Sequence, residues 1–282
     1  MSRRGRYWRL VLTVAALVVL ARFVDPAILA HGAAAVSREP LPLLVALAAY
    51  TVGFGLRAAA WGPLVPSPVS WLQRFRAILA MLAANHALPG PVGEVVRARL
   101  VTSASLPLTA ALTSVAAARV VDVFAVGFLL GLSALLAGDA PGWARWGSPA
   151  AVAVPALVLW VAQRRGLRFG AGRLARAVGW ALPSWALEAG VVYAVASSSG
   201  WELSPASALL VTCTSLLAQA VAVLPGGIGT YEAGMTTGLV ALGIPAPDAL
   251  AVAVVTHGVK FLYALAAGVT LLVPLQLRRA VA

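Results

Sequence analysis

Charged and hydrogen-bonding side chains that interrupt apolar segments are the residues of this chain best suited to chemistry. They form three groups: Asn85 with His86, Glu94, Arg97 and Arg99; Arg119 with Asp122; and Glu232 with His257 and Lys260. An ionised side chain is costly in an apolar environment, so each one needs a ligand, a counter-ion or a place at a boundary. The groups therefore indicate either a site for a charged ligand or structural ion pairs.

In the first group, Arg97 is a candidate phosphate ligand, because a guanidinium binds phosphate oxygens with two parallel hydrogen bonds. Glu94 lies three residues earlier, on the same face if the segment is helical, and would orient the arginine. The alternative is an ion pair at the cytoplasmic surface that only sets topology. Asn85 is counted with the substrate-binding residues, whereas Arg99 is expected to have no such role.

The second group lies near the middle of a long apolar segment. Arg119 and Asp122 are three residues apart, so they can neutralise each other within one helix. The functional interpretation makes Arg119 a ligand contact, and the alternative is a structural pair that fixes helix packing.

The third group combines a carboxylate, an imidazole and an amine. Glu232, His257 and Lys260 would act as a proton relay or as counter-charges for a substrate. Alternatively, Glu232 caps a helix and Lys260 extends to a membrane interface. Two further charges stand alone in apolar segments: Glu188, and Arg57, which either binds a lipid phosphate or lies near the cytoplasmic boundary.

Enzyme motifs are absent from the sequence. It contains no zinc-protease, serine-hydrolase, P-loop or dinucleotide-binding pattern. The histidines, His31, His86 and His257, are too scattered to indicate a metal site, and no cofactor is expected. His86 with Glu94 is the only acid–base pairing, and a poor one, so we expect no catalytic residues.

The composition indicates an integral membrane protein. Of 282 residues, 61% are hydrophobic and 11% are charged, with a mean hydropathy of +0.91. The net charge of +12 does not indicate nucleic-acid binding, because the arginines cluster at the ends of apolar runs without interleaved aromatic residues. Cys213 is the only cysteine, so no internal disulfide forms. We expect one membrane domain over residues 1–282.

The apolar runs predict an all-α polytopic fold with about six transmembrane helices and two re-entrant helical hairpins. A crossing helix needs about 20 apolar residues. The predicted spans are 8–29, 41–65, 104–137, 148–163, 177–199 and 246–273, and the hairpins are 70–102 and 204–243. The first span resembles a signal peptide, but we expect it to be retained because the repeat described next requires it.

Each predicted hairpin is interrupted by the same pattern, L-P-G-x-x-G, at residues 88–93 and 224–229. Proline lacks an amide hydrogen and glycine disfavours helical order, so the backbone should break there. The piece 204–224 is long enough to cross, which leaves a full span as the alternative for the second hairpin. Paired breaks predict inverted repeats over about 8–137 and 148–273, with the substrate site where the breaks meet.

The arginine distribution predicts the orientation. Fifteen of the 21 basic residues fall on one side of this topology, and the opposite loops hold only Arg38 and Arg145. By the positive-inside rule, both termini are cytoplasmic.

Three stretches together resemble the lysylphosphatidylglycerol synthase transmembrane family, the flippase-like domain of the multiple peptide resistance factor. They are Asn85-His86-Ala87-Leu88-Pro89-Gly90-Pro91-Val92-Gly93-Glu94-Val95-Val96-Arg97, then Arg119-Val120-Val121-Asp122, then Leu224-Pro225-Gly226-Gly227-Ile228-Gly229-Thr230-Tyr231-Glu232-Ala233. The resemblance covers roughly residues 40–270. It implies a bacterial or archaeal inner-membrane protein whose role is lipid translocation.

The chain departs from this family in two respects. No aminoacyl-transfer domain follows the last predicted span, so we expect no lysylphosphatidylglycerol synthesis. His257 stands where the family often has an arginine.

We therefore expect a transporter that moves an anionic phospholipid or a polyprenyl-phosphate glycolipid between leaflets. The alternatives are an intramembrane enzyme and an accessory scaffold. Membrane lipids are the expected partners, with a second copy of the chain or a lipid-modifying enzyme left open.

Overall fold

A computed structural model describes residues 37–88, 92–138, 140–164, 169–220 and 224–280, together with residues 30 and 34. The predicted first span, 8–29, and residues 89–91 of the first motif lie outside this part. The described chain is all-helical, and its only β contact is an isolated bridge between Ser103 and Leu106.

Ten α-helices make up most of the described chain. They are α1 (Pro40–Trp61), α2 (Trp71–Ala87), α3 (Val92–Arg99), α4 (Leu108–Leu136), α5 (Gly142–Arg164), α6 (Ala171–Ala186), α7 (Ala189–Ser198), α8 (Pro205–Ala220), α9 (Thr230–Ala241) and α10 (Ala246–Ala280). Two 3-10 turns accompany them, Gly62–Leu64 after α1 and Pro225–Gly227 before α9.

Four helical segments are long and apolar enough to cross a membrane, and all four coincide with predicted spans. They are Pro40–Leu64, Leu108–Leu136, Ala171–Ser198 and Ala246–Gly268. The predicted span 148–163 is helical, as part of α5, but does not belong to these four.

The third of these spans is interrupted between α6 and α7. Around the interruption, backbone hydrogen bonds join residues three apart instead of four. Glu188 N donates to Trp185 O at 3.2 Å, and Val191 N donates to Glu188 O at 3.3 Å. Glu188 therefore lies at a tightened turn inside a predominantly apolar span.

Helices α2 and α3 form a closely packed pair on either side of the first motif. The Gly93 amide donates to Asn85 Oδ1 at 2.9 Å. A Cβ atom at Gly93 would overlap both that oxygen and the Met81 carbonyl. The glycine of the motif thus permits the approach, and Asn85 fixes it.

Replacing Asn85 by leucine is expected to destabilise this helix pair by about 1–3 kcal/mol, because the buried Gly93 amide would lose its acceptor. The measurement is the free energy of unfolding in detergent micelles. Asn85→Asp keeps an acceptor oxygen and serves as the matched control. Equal losses in the two variants would contradict the assigned hydrogen bond.

Helices α8 and α9 form the corresponding pair at the second motif, where the backbone breaks as predicted. Gly226, Gly227 and Gly229 have φ angles of +65°, +79° and +87°, a region that residues with a Cβ rarely adopt. The chain turns through Pro225–Gly227 and starts α9 at Thr230.

The second break lies against the end of α2 and against α10. A Cβ atom on Gly226 would come within 3.3 Å of His86 Cδ2 and 3.3 Å of Phe261 Cε2. Helix α10 also packs along α2 and α9. The fold thus brings elements of both predicted halves to one place.

Candidate functional site

A cavity of about 480 Å³ lies where the second break, α2 and the four long apolar segments meet. Seven of the eight residues predicted to bind substrate line it: Asn85, Glu94, Arg97, Arg119, Asp122, His257 and Lys260. The eighth, Glu232, is hydrogen-bonded to His257. Residues predicted from three separate stretches of sequence therefore share one chamber.

Arg97 is a buried arginine with few partners. Its side chain is 5% exposed, and its guanidinium lies 4.1 Å above the ring of Trp61. Its contact with Glu94 is 3.9 Å long, and its Nε atom has no hydrogen-bond partner among the described residues. The expected pairing of Glu94 with Arg97 is present, and the same Nη1 atom also donates to Met81 Sδ at 3.9 Å. Both contacts are long, and the Nε–H donor takes part in neither.

The expected ion pair between Arg119 and Asp122 does not form. No nitrogen–oxygen contact within 4.0 Å joins these two residues, although both are fully described. Asp122 instead accepts a hydrogen bond of 2.9 Å from Trp185 Nε1 on α6. Arg119 is exposed and lies at the cavity wall. A donor from a neighbouring helix has taken the place of the partner in the same helix.

A buried cluster of three charged side chains lines part of the cavity. Glu188 bonds to Arg57 through Oε2 and to Lys260 Nζ through Oε1, the latter at 2.9 Å. Lys260 also donates to the Tyr231 hydroxyl at 2.9 Å. We call Arg57, Glu188 and Lys260 the charge triad.

The triad was not predicted. Lys260 is 3% exposed, so it does not extend to an interface. Arg57 is largely buried as well: its side chain is 10% exposed, and its guanidinium lies 3.5 Å from the centroid of the Trp185 ring. A sequence signal did exist, since a lone carboxylate in an apolar span, such as Glu188, requires a cation from another helix.

His257 is held between two oxygen atoms. Its Nδ1 lies 2.7 Å from Glu232 Oε1, and its Nε2 lies 3.1 Å from the carbonyl oxygen of Gly226. The other oxygen of Glu232 accepts from the Gly229 amide at 2.7 Å. The capping role expected of Glu232 therefore occurs, and the other oxygen of the carboxylate contacts His257, which the sequence placed in the same group.

The sequence of the chain matches a known membrane-protein family. The model of the lysylphosphatidylglycerol synthase TM region matches residues 7–170 and 161–268, which together span most of the chain. The chain belongs to the lysylphosphatidylglycerol synthase transmembrane family. No curated protein and no solved structure matches it at a significant level. With its apolar helices, membership identifies a multi-pass membrane protein in a family with a lipid-related function.

In this family member, charged side chains of the cavity lie far from the ends of the apolar segments. Arg57, Asp122, Glu188 and Lys260 each come from a different long apolar segment and lie at least seven residues, about 10 Å of helix, from its ends. Four cationic and three carboxylate side chains line the cavity, which leaves one net positive charge. Such a chamber is suited to an anion, because charges interact more strongly in the protein interior than in bulk water.

Proposed function

We propose that this protein moves the head group of an anionic phospholipid or of a polyprenyl-phosphate glycolipid between the two leaflets of the membrane. The observation that supports this best is Arg97, a buried arginine in a cavity surrounded by apolar spans, whose Nε–H has no hydrogen-bond partner among the described residues. The proposal assigns the chain no catalytic step.

A phosphate group would satisfy Arg97 directly. Its oxygens accept the charge-assisted hydrogen bonds that a guanidinium offers, and each is worth about 1.5–3 kcal/mol. The stacking of Arg97 on Trp61 leaves the edge of the guanidinium available for such bonds. Trp61 is itself fixed by its 3.1 Å bond to Ser114 Oγ.

The size of the cavity suits a head group. A volume of about 480 Å³ falls within the range of about 300–1,000 Å³ typical of small-molecule sites. Acyl or polyprenyl chains would remain in the bilayer while the polar group crosses. The cavity would replace the water that the head group loses, which is the main cost of its passage through hydrocarbon.

The arrangement of the two motifs supports an inverted repeat with six spans and two re-entrant hairpins. The motifs begin 136 residues apart, at Leu88 and Leu224. Each is followed by polar residues three apart, starting with Arg119 after 31 residues and with His257 after 33. We further propose a bacterial or archaeal inner-membrane location with both termini in the cytoplasm.

Arg97→Gln is expected to slow lipid movement about tenfold or more, because at least one charge-assisted bond to phosphate is lost. The measurement uses phosphatidylcholine vesicles that contain the purified protein and a fluorescently labelled phosphatidylglycerol. A membrane-impermeant reductant then bleaches the label in the outer leaflet, and the slow phase reports lipid arriving from the inner one.

The matched control is Arg99→Gln, which removes an exposed arginine from the same helix. Its rate should stay within about twofold of the wild type, since exposed charges contribute little. Wild-type vesicles no faster than protein-free vesicles would refute lipid movement. Equal slowing by both substitutions would refute the role of Arg97.

A further inference from the structure

We propose that His257 and Glu232 form a proton-binding site, and that movement of the anionic head group is coupled to the protonation of His257. This inference rests on the proposed function for its coupling part, whereas the proton site itself follows from the hydrogen bonds of His257.

Both ring nitrogens of His257 face atoms that only accept. The Gly226 carbonyl oxygen, 3.1 Å from Nε2, carries no hydrogen. Glu232 Oε1, 2.7 Å from Nδ1, belongs to a carboxylate whose other oxygen already accepts from the Gly229 amide at 2.7 Å. A neutral imidazole has one N–H and can serve only one of them. Both bonds therefore require the doubly protonated imidazolium.

The other histidine in the cavity behaves differently. His86 Nδ1 donates to the Leu82 carbonyl at 2.8 Å, and no acceptor among the described residues faces its Nε2. One N–H is sufficient there. His86 is thus an internal reference for a neutral ring, 6.3 Å from His257 between ring centroids.

Each helix that packs against His257 places a titratable or charged side chain near it. Helix α9 contributes Glu232 and Tyr231, whose ring lies 4.4 Å away, and α2 contributes His86. Lys260 follows one turn later on α10 and is bound to Glu188 from the α6–α7 turn. Glu232 is the only carboxylate hydrogen-bonded to His257 in the described part of the chain, so it is the counter-ion for the proton added to His257.

Loss of this proton would change both the charge and the second break. The pair of Glu232 and His257 would pass from neutral to negative, which weakens the attraction of the cavity for an anion. One of the two bonds would also be lost. The charge-assisted bond to Glu232 is the stronger, so the bond from α10 to Gly226 at the break would open. Proton and anion therefore favour each other's binding by linkage.

The first test is the protonation state of His257. In protein labelled with nitrogen-15 at histidine and held in lipid nanodiscs at neutral pH, the signals that disappear in His257→Gln identify this residue. We expect two ring N–H signals for His257 and one for His86. A single N–H on His257 would overturn the proton site, whether or not the protein moves lipid.

The second test imposes a pH difference across the vesicles described above, with the same labelled phosphatidylglycerol. If one proton accompanies each lipid, the leaflet ratio should shift by up to tenfold per pH unit. Glu232→Gln keeps a hydrogen-bonding amide beside His257 but removes the carboxylate, and its ratio should not respond to pH. Wild-type movement that ignores the gradient would overturn coupling and leave the proposed function intact. Absence of movement at any pH would instead refute the proposed function.

Discussion

Glu188→Gln is expected to lower the free energy of unfolding by about 3–5 kcal/mol, the range for removing one partner of a buried ion pair. The side chain of Glu188 is 4% exposed and separates two cations, Arg57 and Lys260, whose side chains are 10% and 4% exposed. Without it, two like charges remain buried and uncompensated. Denaturant titration in detergent micelles would measure the loss.

Variants that change the net charge of the triad in opposite directions serve as controls. Lys260→Met leaves Arg57 paired with Glu188 and removes the excess charge of the triad, so its loss should be clearly smaller than that of Glu188→Gln. Adding Lys260→Met to Glu188→Gln should recover part of the stability, because one of the two unpaired cations is gone. Equal losses for the two single variants, with no recovery in the double variant, would show that charge balance does not govern this cluster.

The features that the sequence predicts well are those that depend on local chemistry. Proline followed by three glycines within 224–229 removes an amide donor and weakens helical order at one place, so the second hairpin break was predictable from the residues alone. Glu94 and Arg97 share a helix face because they are three residues apart. Their proximity at 3.9 Å confirms that spacing argument.

The features that it predicts poorly are contacts between distant helices. Glu188 is 131 residues from Arg57 and 72 from Lys260, and no local pattern relates them. For Asp122, the local pattern predicts a partner that the structure replaces with a distant one. The spacing pairs it with Arg119, yet Trp185, 63 residues away, donates to it. Helix periodicity fixes which face a residue occupies, but the packing of other helices decides which partner it meets there.

Gly227→Ala should destabilise the second break by about 2–5 kcal/mol. Two costs combine. A residue with a Cβ in the left-handed region lowers the free energy of unfolding by about 1–2 kcal/mol, and overpacking lowers it by about another 1–3 kcal/mol. Gly227 has a φ of +79°, and its Cβ would lie 2.5 Å from Gln219 Cγ. Gln219 donates to the Gly226 carbonyl, so its displacement would also remove a hydrogen bond from the turn that closes the cavity.

Two other glycines separate these costs. Gly243 has a φ of +89° with no atom within 4 Å of its added Cβ, so Gly243→Ala should show the backbone cost alone. Gly258 lies in α10 with ordinary helical φ and open space around it, and alanine there should stabilise the helix by about 0.5–1 kcal/mol. The expected order of unfolding free energies is therefore Gly258→Ala highest, Gly243→Ala intermediate and Gly227→Ala lowest. If Gly227→Ala and Gly243→Ala lost the same amount, Gln219 would not pack against the turn as the structure shows. A loss for Gly227→Ala that exceeds the loss for Gly243→Ala would mean that the break is held by side-chain packing as well as by glycine geometry.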